Sequence, residues 1–317
     1  MVTKLNSTLA RVEPAAAPAL AVTPSRAAAL LGLANDYYEL GKPRIMYLLL
    51  VTTAAAMIMA QRGIPSLSLL GWTLLGGALA AMSAGTLNCV YDVDIDRVMR
   101  RTATRPLPAG RISLFAATTH ACVMGAISFA IFYLRVDHLA AWLSLAGNFY
   151  YVVIYTMLLK RRTPQNIVIG GAAGAIPPLV GWAAVTHAIG GPALGLFGII
   201  FLWTPPHFWA LALMTETDYH KANVPMLPNV YGDDRTTFEI VVYTAVLVAF
   251  SLALYYPLHV MGPFYFVAAA VLGAVFLLDA IAVRRDTGKA TARRLFLFSL
   301  IYLALICAFM VIDRIVF

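Results

Sequence analysis

LSLLGWTLLGGALAAMSAGTLNCVYDVDIDR, residues 67–97, is the stretch on which the fold turns. Residues 67–91 carry no charge, and a helix of roughly 20 such residues crosses a hydrocarbon core about 30 Å thick. The end of the run changes character at once: Asn88, Asp92 and Asp96 recur at every fourth position, with Asp94 between them and Arg97 after. On a helix this register stacks an amide and two carboxylates on one face, with Cβ atoms about 5–6 Å apart, and turns Asp94 away. Carboxylates so placed repel one another, and ionised groups at a membrane boundary are costly enough to be read as functional by default. A divalent cation relieves both penalties. Mg²⁺ takes oxygen ligands, one or two of them protein carboxylates, and completes its shell with water and substrate phosphate. Asn88, Asp92 and Asp96 supply such a set, and Arg97, Arg100, Arg101, Arg105 and Arg111 follow as planar donors suited to phosphate. A charged helix end paired with its own arginines would explain those cations but not the four-residue register.

The rest of the chain repeats the apolar theme. Of its 317 residues 61% are hydrophobic and 12% charged, where a soluble domain carries about 25% charged residues. Nine runs are long enough to span a bilayer: about 44–60, 67–91, 113–134, 138–159, 166–187, 193–214, 236–257, 262–283 and 295–315. The expected fold is therefore an all-α integral membrane bundle of nine transmembrane helices, with the lipid bilayer as its solvent. The net charge of +8 does not form a continuous basic face, which argues against nucleic acid as a partner. Of the 23 Lys and Arg, 20 fall in the N-terminal segment or in the 2–3, 4–5, 6–7 and 8–9 gaps, leaving Arg62, Arg135 and Arg314 on the other side. By the positive-inside rule this places the N-terminus in the cytoplasm and the C-terminus outside. Cys89, Cys122 and Cys307 lie in or beside apolar spans without CxxC spacing, so no disulfide framework or zinc site is implied.

Residues 1–35 are rich in Ala, Pro and Ser, and Pro14, Pro18 and Pro24 interrupt any signal-peptide core. They read as a disordered cytoplasmic tail ahead of one membrane domain, 36–317. The near absence of acids in the tail leaves an organellar transit peptide as the alternative, so a bacterial cytoplasmic (inner) membrane is expected ahead of a mitochondrial inner membrane. Pro177-Pro178 and Pro205-Pro206 interrupt spans 5 and 6, as packing kinks or as cavity linings. Gly170, Gly171, Gly174 and Gly181 are read as sites of close helix contact, with closeness to a flat ligand as the alternative.

The 6–7 gap holds a second polar constellation, Glu216-Thr217-Asp218-Tyr219-His220-Lys221-Ala222-Asn223, followed by Val224-Pro225-Met226-Leu227-Pro228. It falls on the same side as the first. Glu216 and Asp218 do not share a helix face. Asp218 is the candidate ligand there, for a second metal facing the first, with Lys221 a candidate phosphate contact. A solvated loop is the bland alternative. His207, about seven residues inside span 6, is read either as a haem-iron contact or proton relay, or as an internally hydrogen-bonded bundle histidine.

Together these residues resemble the UbiA-like membrane prenyltransferase superfamily, whose first signature is NxxxDxxxD after the second helix. Within it the likeness is greatest to the branch that farnesylates haem, and it covers about 40–317. The pieces that carry it are Lys42-Pro43-Arg44-Ile45, Asn88 to Arg97, Arg101-Thr102, Arg105-Pro106-Leu107-Pro108, Tyr155 with Lys160-Arg161-Arg162, Gly174 to Trp182, Trp203 to Trp209, and Asp218 to Pro228. One departure matters: the second motif of the superfamily is usually DxxxD, whereas Asp218 is followed four residues later by Ala222.

The resemblance implies a Mg²⁺-dependent transfer of farnesyl from farnesyl diphosphate to a vinyl group of haem B, with addition of water, giving haem O and diphosphate. It implies metal ligands at Asn88, Asp92, Asp96 and Asp218. It also implies substrate contacts among Lys42, Arg44, Arg97, Arg101, Arg105, Tyr155, Lys160, Lys221 and Asn223, and makes the next haem-modifying enzyme a candidate partner. The competing readings are the same chemistry on a quinone-type aromatic or chlorin acceptor, and a transporter. A transporter should carry ionisable residues near mid-span, where only His207 and Asp279 stand out.

Overall fold

The computed structural model describes residues 25–317, apart from the side chains of Glu216 and Asp218. Among them, nine helical spans are long and apolar enough to cross a membrane. They are α2 (Pro43–Gln61), α3 (Leu67–Tyr91), α5 (Leu114–Ile131, continued by π-helical Phe132–Val136), α6 (His138–Phe149, continued by π-helical Tyr150–Leu159), α7 (Asn166–Thr186), α8 (Gly191–Met214), α10 (Leu227–Ala253), α11 (Pro263–Arg285) and α12 (Lys289–Val316). Three short helices, α1 (Arg26–Leu40), α4 (Val93–Val98) and α9 (Glu216–Lys221), stand between or before them. Several spans begin where the sequence changes because a side chain takes an orphan backbone donor there. Ser66 accepts from Leu69 N–H, Ser113 from Ala116 and Asp137 from Ala140.

Two expectations need adjustment. Of the tail expected over 1–35, residues 1–24 lie outside the described residues, but the part from Arg26 onward is helix α1, capped by Ser25. The helix-breaking Pro residues end at Pro24, and past it the run Ala27 to Leu33 consists mostly of strong helix formers. The seventh span begins at Leu227, nine residues early, because Gly232, at φ 78° and ψ 173°, joins the short helix 227–231 to the long apolar one. A non-glycine residue would be strained at that angle.

α2 packs on α3, α7 and α12, and α8 packs on α7, α10 and α12, so spans near the two ends of the chain meet around α7 and α8. These two are the most enclosed spans. Gly181 makes that packing possible: a Cβ there would lie 2.3 Å from the Thr53 carbonyl oxygen of α2. Gly170 and Gly171 are likewise pressed against Tyr155 and Thr204, whereas Gly174 faces open space and makes no such contact. The gaps after the second and sixth spans meet at one end of the bundle, where Ile95 and Met99 pack with Tyr219, Val224 and Met226.

Candidate active site

The acidic run is assembled from three directions. α1 ends at Leu40, buried with Cys89 and Leu107, and the chain turns through Gly41 into α2. That turn lies directly on α3, since a Cβ on Gly85 would come within 2.9 Å of the Gly41 carbonyl oxygen. Lys42 follows in the left-handed region at φ 54°, a conformation that costs a residue with a side chain about 1–2 kcal/mol. Pro43, with no N–H to leave unpaired, starts the next helix. The turn sends the Lys42 ammonium three residues beyond Gly85, onto Asn88 Oδ1.

From Asn88 the helix continues with one flaw. α3 ends at Tyr91 and α4 begins at Val93, because Asp92 adopts φ −93° and ψ 12°, the sparsely populated bridge region. The ladder nevertheless carries through: Asp92 N–H donates to the Asn88 carbonyl at 2.9 Å, and Asp96 N–H to that of Asp92 at 2.8 Å. The expected register survives, and Asn88, Asp92 and Asp96 are 2%, 1% and 4% exposed. Asp94 turns outward, as the spacing requires, and is gripped by both terminal nitrogens of Arg161 at 2.7 Å. That fork holds the Asp94 carboxyl below the usual carboxylate range.

Each of the three inward side chains gives one oxygen to a cation from a different segment. Lys42 donates to Asn88 Oδ1, Lys160 to Asp92 Oδ2, and Arg105 to Asp96 Oδ2 at 2.8 Å. The second oxygen of Asp92 is buried without a hydrogen bond, and its nearest cation, Arg161, stands off at 3.5 Å. Thr156 accepts from Asn88 Nδ2 at 2.9 Å. Sequence reasoning missed Thr156 and the Arg161 clamp. Both depend on the π-helical stretch 150–159, whose register no apolar periodicity discloses.

This donor set fits Mg²⁺. No three His, Cys, Asp or Glu side chains cluster among the described residues. Mg²⁺ needs only one or two protein carboxylates when phosphate oxygens complete its shell. Two carboxylates, an amide oxygen, an orphaned Asp92 oxygen and lysines able to transfer to phosphate meet that requirement.

The second constellation packs onto the first. Ile95 and Met99, on the back of α4 and just after it, share a cluster with Ile167, Ala212, Tyr219, Val224 and Met226. Asn166 ties the 4–5 gap to it by donating to the Pro225 carbonyl at 3.3 Å. Asp218 lies in α9, and its side chain is outside the described residues. Tyr155 lies beside Tyr151, with ring centroids 5.5 Å apart. Arg44, Arg97, Arg101, Lys221 and Asn223 are exposed around this end and are not joined to the acidic oxygens.

His207 lies apart from these oxygens, in the joint between α8 and α12. Its ring is stacked between Trp203 at 4.2 Å and Phe296 at 4.6 Å, and Nδ1 is 2.7 Å from Ser299 Oγ. Ser299 gives its only hydroxyl proton to the Phe296 carbonyl at 2.6 Å, so His207 Nδ1 is the donor. With both faces covered and one nitrogen engaged, the geometry favours the bundle-histidine reading. Asp279 pairs with Arg294 at 2.8 Å, so it is not a lone charge of the kind a transport pathway would use.

Comparison with known proteins follows the same lines. The sequence profile of the UbiA prenyltransferase family matches residues 49–304. A protein named protoheme IX farnesyltransferase from Microcystis aeruginosa is 52% identical over 284 residues, 89% of this chain and 90% of that one. One of the same name from Gloeobacter violaceus is 53% identical over 282 residues, 89% and 92% of the two chains. Among solved structures, a digeranylgeranylglyceryl phosphate synthase aligns over 90% of this chain and 99% of its own, with TM-score 0.75 and 18% identity. A UbiA homologue from Archaeoglobus fulgidus bound to DMAPP and Mg²⁺ aligns over 87% and 99%, with TM-score 0.62 and 17% identity. At these identities the structural likeness is one of fold.

Proposed function

The chain belongs to the UbiA prenyltransferase family, and from that premise we propose that it transfers a farnesyl group from farnesyl diphosphate to a vinyl group of haem B, producing haem O and diphosphate. The reading is supported by the relatives that carry the name protoheme IX farnesyltransferase over nine-tenths of their length. The single observation that carries the chemistry is the row Asn88, Asp92 and Asp96, buried at the end of a span with one oxygen of each met by a cation from another segment.

The reaction breaks the bond between farnesyl C1 and diphosphate oxygen, forms a carbon–carbon bond from C1 to the terminal vinyl carbon, and adds hydroxyl from water to the inner carbon with loss of one proton. Asn88, Asp92 and Asp96, with Asp218 as the fourth candidate, would hold Mg²⁺, which when bound would supply charge neutralisation to the departing diphosphate. Lys42 and Lys160, released from the Asn88 and Asp92 oxygens, would turn to the diphosphate. Arg105 stays on Asp96 and Arg161 on Asp94, which holds the row in place. The apolar bundle around α7 and α8 limits access of water to the allylic cation until the vinyl carbon captures it.

The distribution of Lys and Arg supports an N-terminus and an active end facing the cytoplasm of a bacterium, with the cytoplasmic membrane as the site of action. Pigment analysis after expression with haem B available tests the assignment: wild type should yield haem O and Asp92→Ala none. Haem O from both proteins, or from neither, would overturn it. Offering labelled farnesyl diphosphate with quinone or chlorin acceptors in parallel distinguishes the acceptor class.

A further inference from the structure

Asn88 differs from the two aspartates in one respect: its side chain has a right and a wrong way round. Only the oxygen edge can serve a cation, and the amide group by itself has no preference. We propose that Thr156 is a positioning residue that locks the Asn88 amide with its oxygen towards the metal and diphosphate, and that it can do so because residues 150–159 are π-helical. The inference rests on the reading of Asn88 as a metal-facing oxygen ligand.

The hydrogen-bond count leaves one solution. Thr156 is fully buried, and its hydroxyl carries a single proton. Its Oγ lies 2.8 Å from the Tyr151 carbonyl, which can only accept, so the proton goes there. What remains towards Asn88, 2.9 Å away, is a lone pair, and only the NH₂ edge of the amide can meet it. On the other side of Asn88 stands Lys42, which can only donate and therefore requires Oδ1. A flipped amide would set two acceptors face to face at Thr156 and two donors face to face at Lys42, both away from water.

The two partners are not equivalent. Once Lys42 turns to the diphosphate, Thr156 alone still holds the amide. Its own orientation comes from the wide turn. Thr73, Thr118, Thr204 and Thr244 all return their hydroxyl protons to the carbonyl four residues back, as threonines in α-helices do. Thr156 returns its proton five residues back, and Lys160 N–H likewise reaches the Tyr155 carbonyl five residues back at 2.8 Å. One π-helical segment thus aims both the threonine that orients Asn88 and the lysine that holds Asp92, in line with the frequent occurrence of such turns at functional sites.

Binding of Mn²⁺ in the presence of inorganic diphosphate, followed by the loss of the free-ion EPR signal with the full-length protein in detergent, tests this without turnover. Thr156→Val should weaken Mn²⁺ binding roughly fivefold, the factor set by one net hydrogen bond, while Thr156→Ser keeps wild-type affinity. Asn88→Ala should weaken it at least as much, and adding Thr156→Val to Asn88→Ala should change nothing further, because the threonine acts only through the amide. If Asn88→Ala weakens binding and Thr156→Val does not, or if the two losses add in the double variant, the proposal fails and the site stands. If Asn88→Ala has no effect, the metal-ligand reading fails and the proposal with it. Should Thr156→Val not accumulate, Thr156→Cys, a weak acceptor of similar size, gives the same comparison.

Discussion

Asp92 and Asp313 are buried to the same degree, each 1% exposed, at opposite ends of one bundle, and their surroundings differ in kind. Asp313, near the end of α12, accepts from the backbone N–H groups of Gly262 at 2.6 Å and Tyr265 at 3.0 Å and so caps the start of α11. Its donors are fixed in the chain, and they favour a negative charge at a helix N-terminus. Asp92 is met by the movable end of Lys160 and only approached by Arg161 at 3.5 Å, and one of its oxygens has no hydrogen bond. A buried carboxylate saturated by backbone donors has nothing left to offer a ligand. One held by long side chains can exchange them for a metal and a phosphate.

Substitution at each aspartate tests that contrast. Asp92→Ala should lower the rate of haem O formation by at least about 100-fold, the usual cost of removing a preorganised electrostatic group. Its thermal unfolding should move little, because Lys160 can turn to water. Asp313→Ala should do the reverse. The loss of two charge-assisted caps should lower stability by about 2 kcal/mol, read from thermal unfolding in detergent, with unchanged activity per folded molecule. If Asp313→Ala abolished turnover in folded protein, the two carboxylates would not differ as their donors imply.

His207 belongs with Asp313 on this view, since its hydrogen bond and both ring faces are already committed. His207→Phe keeps a stackable ring and loses the bond to Ser299, so it should cost about 1 kcal/mol in stability and leave haem O output close to wild type. Loss of haem O from folded His207→Phe would move the histidine into the reaction and make its other nitrogen the group of interest.

The nine spans were legible because bilayer thickness imposes their length, and the register of Asn88, Asp92 and Asp96 because a helix places every fourth residue on one face. What the sequence concealed is what depends on other segments. No pattern near 156 announces a π-helical stretch, because apolar residues around a membrane helix look the same in either register. The pairing of Lys42, Lys160 and Arg105 with their three oxygens is a tertiary fact, set by close approaches such as Gly85 on Gly41. The break at Asp92 escaped for another reason: both helical hydrogen bonds survive it, so only the dihedral angles record it.

Arg161 bridges the two kinds of behaviour within one side chain, because it grips Asp94 with two bonds at 2.7 Å and only approaches Asp92 at 3.5 Å. The grip depresses the Asp94 pKa, so its contribution to stability is present above the unfolded carboxyl value near pH 4 and is lost as pH falls through the lower folded value. Asp94 is 63% exposed, so water screens the pair and its worth is about 0.5 kcal/mol. Arg161→Gln should therefore lower the melting temperature slightly at pH 7, and the gap from wild type should narrow as the pH is taken below about 4. In an Asp94→Asn background, Arg161→Gln should lack that pH-dependent part and show only the small constant loss of the Arg161 bond to the Tyr91 carbonyl at 2.9 Å. A gap that persisted undiminished at low pH would mean that Arg161 acts on the backbone end of α3 and not through Asp94, and that the clamp on the outward aspartate contributes nothing to holding the inward row.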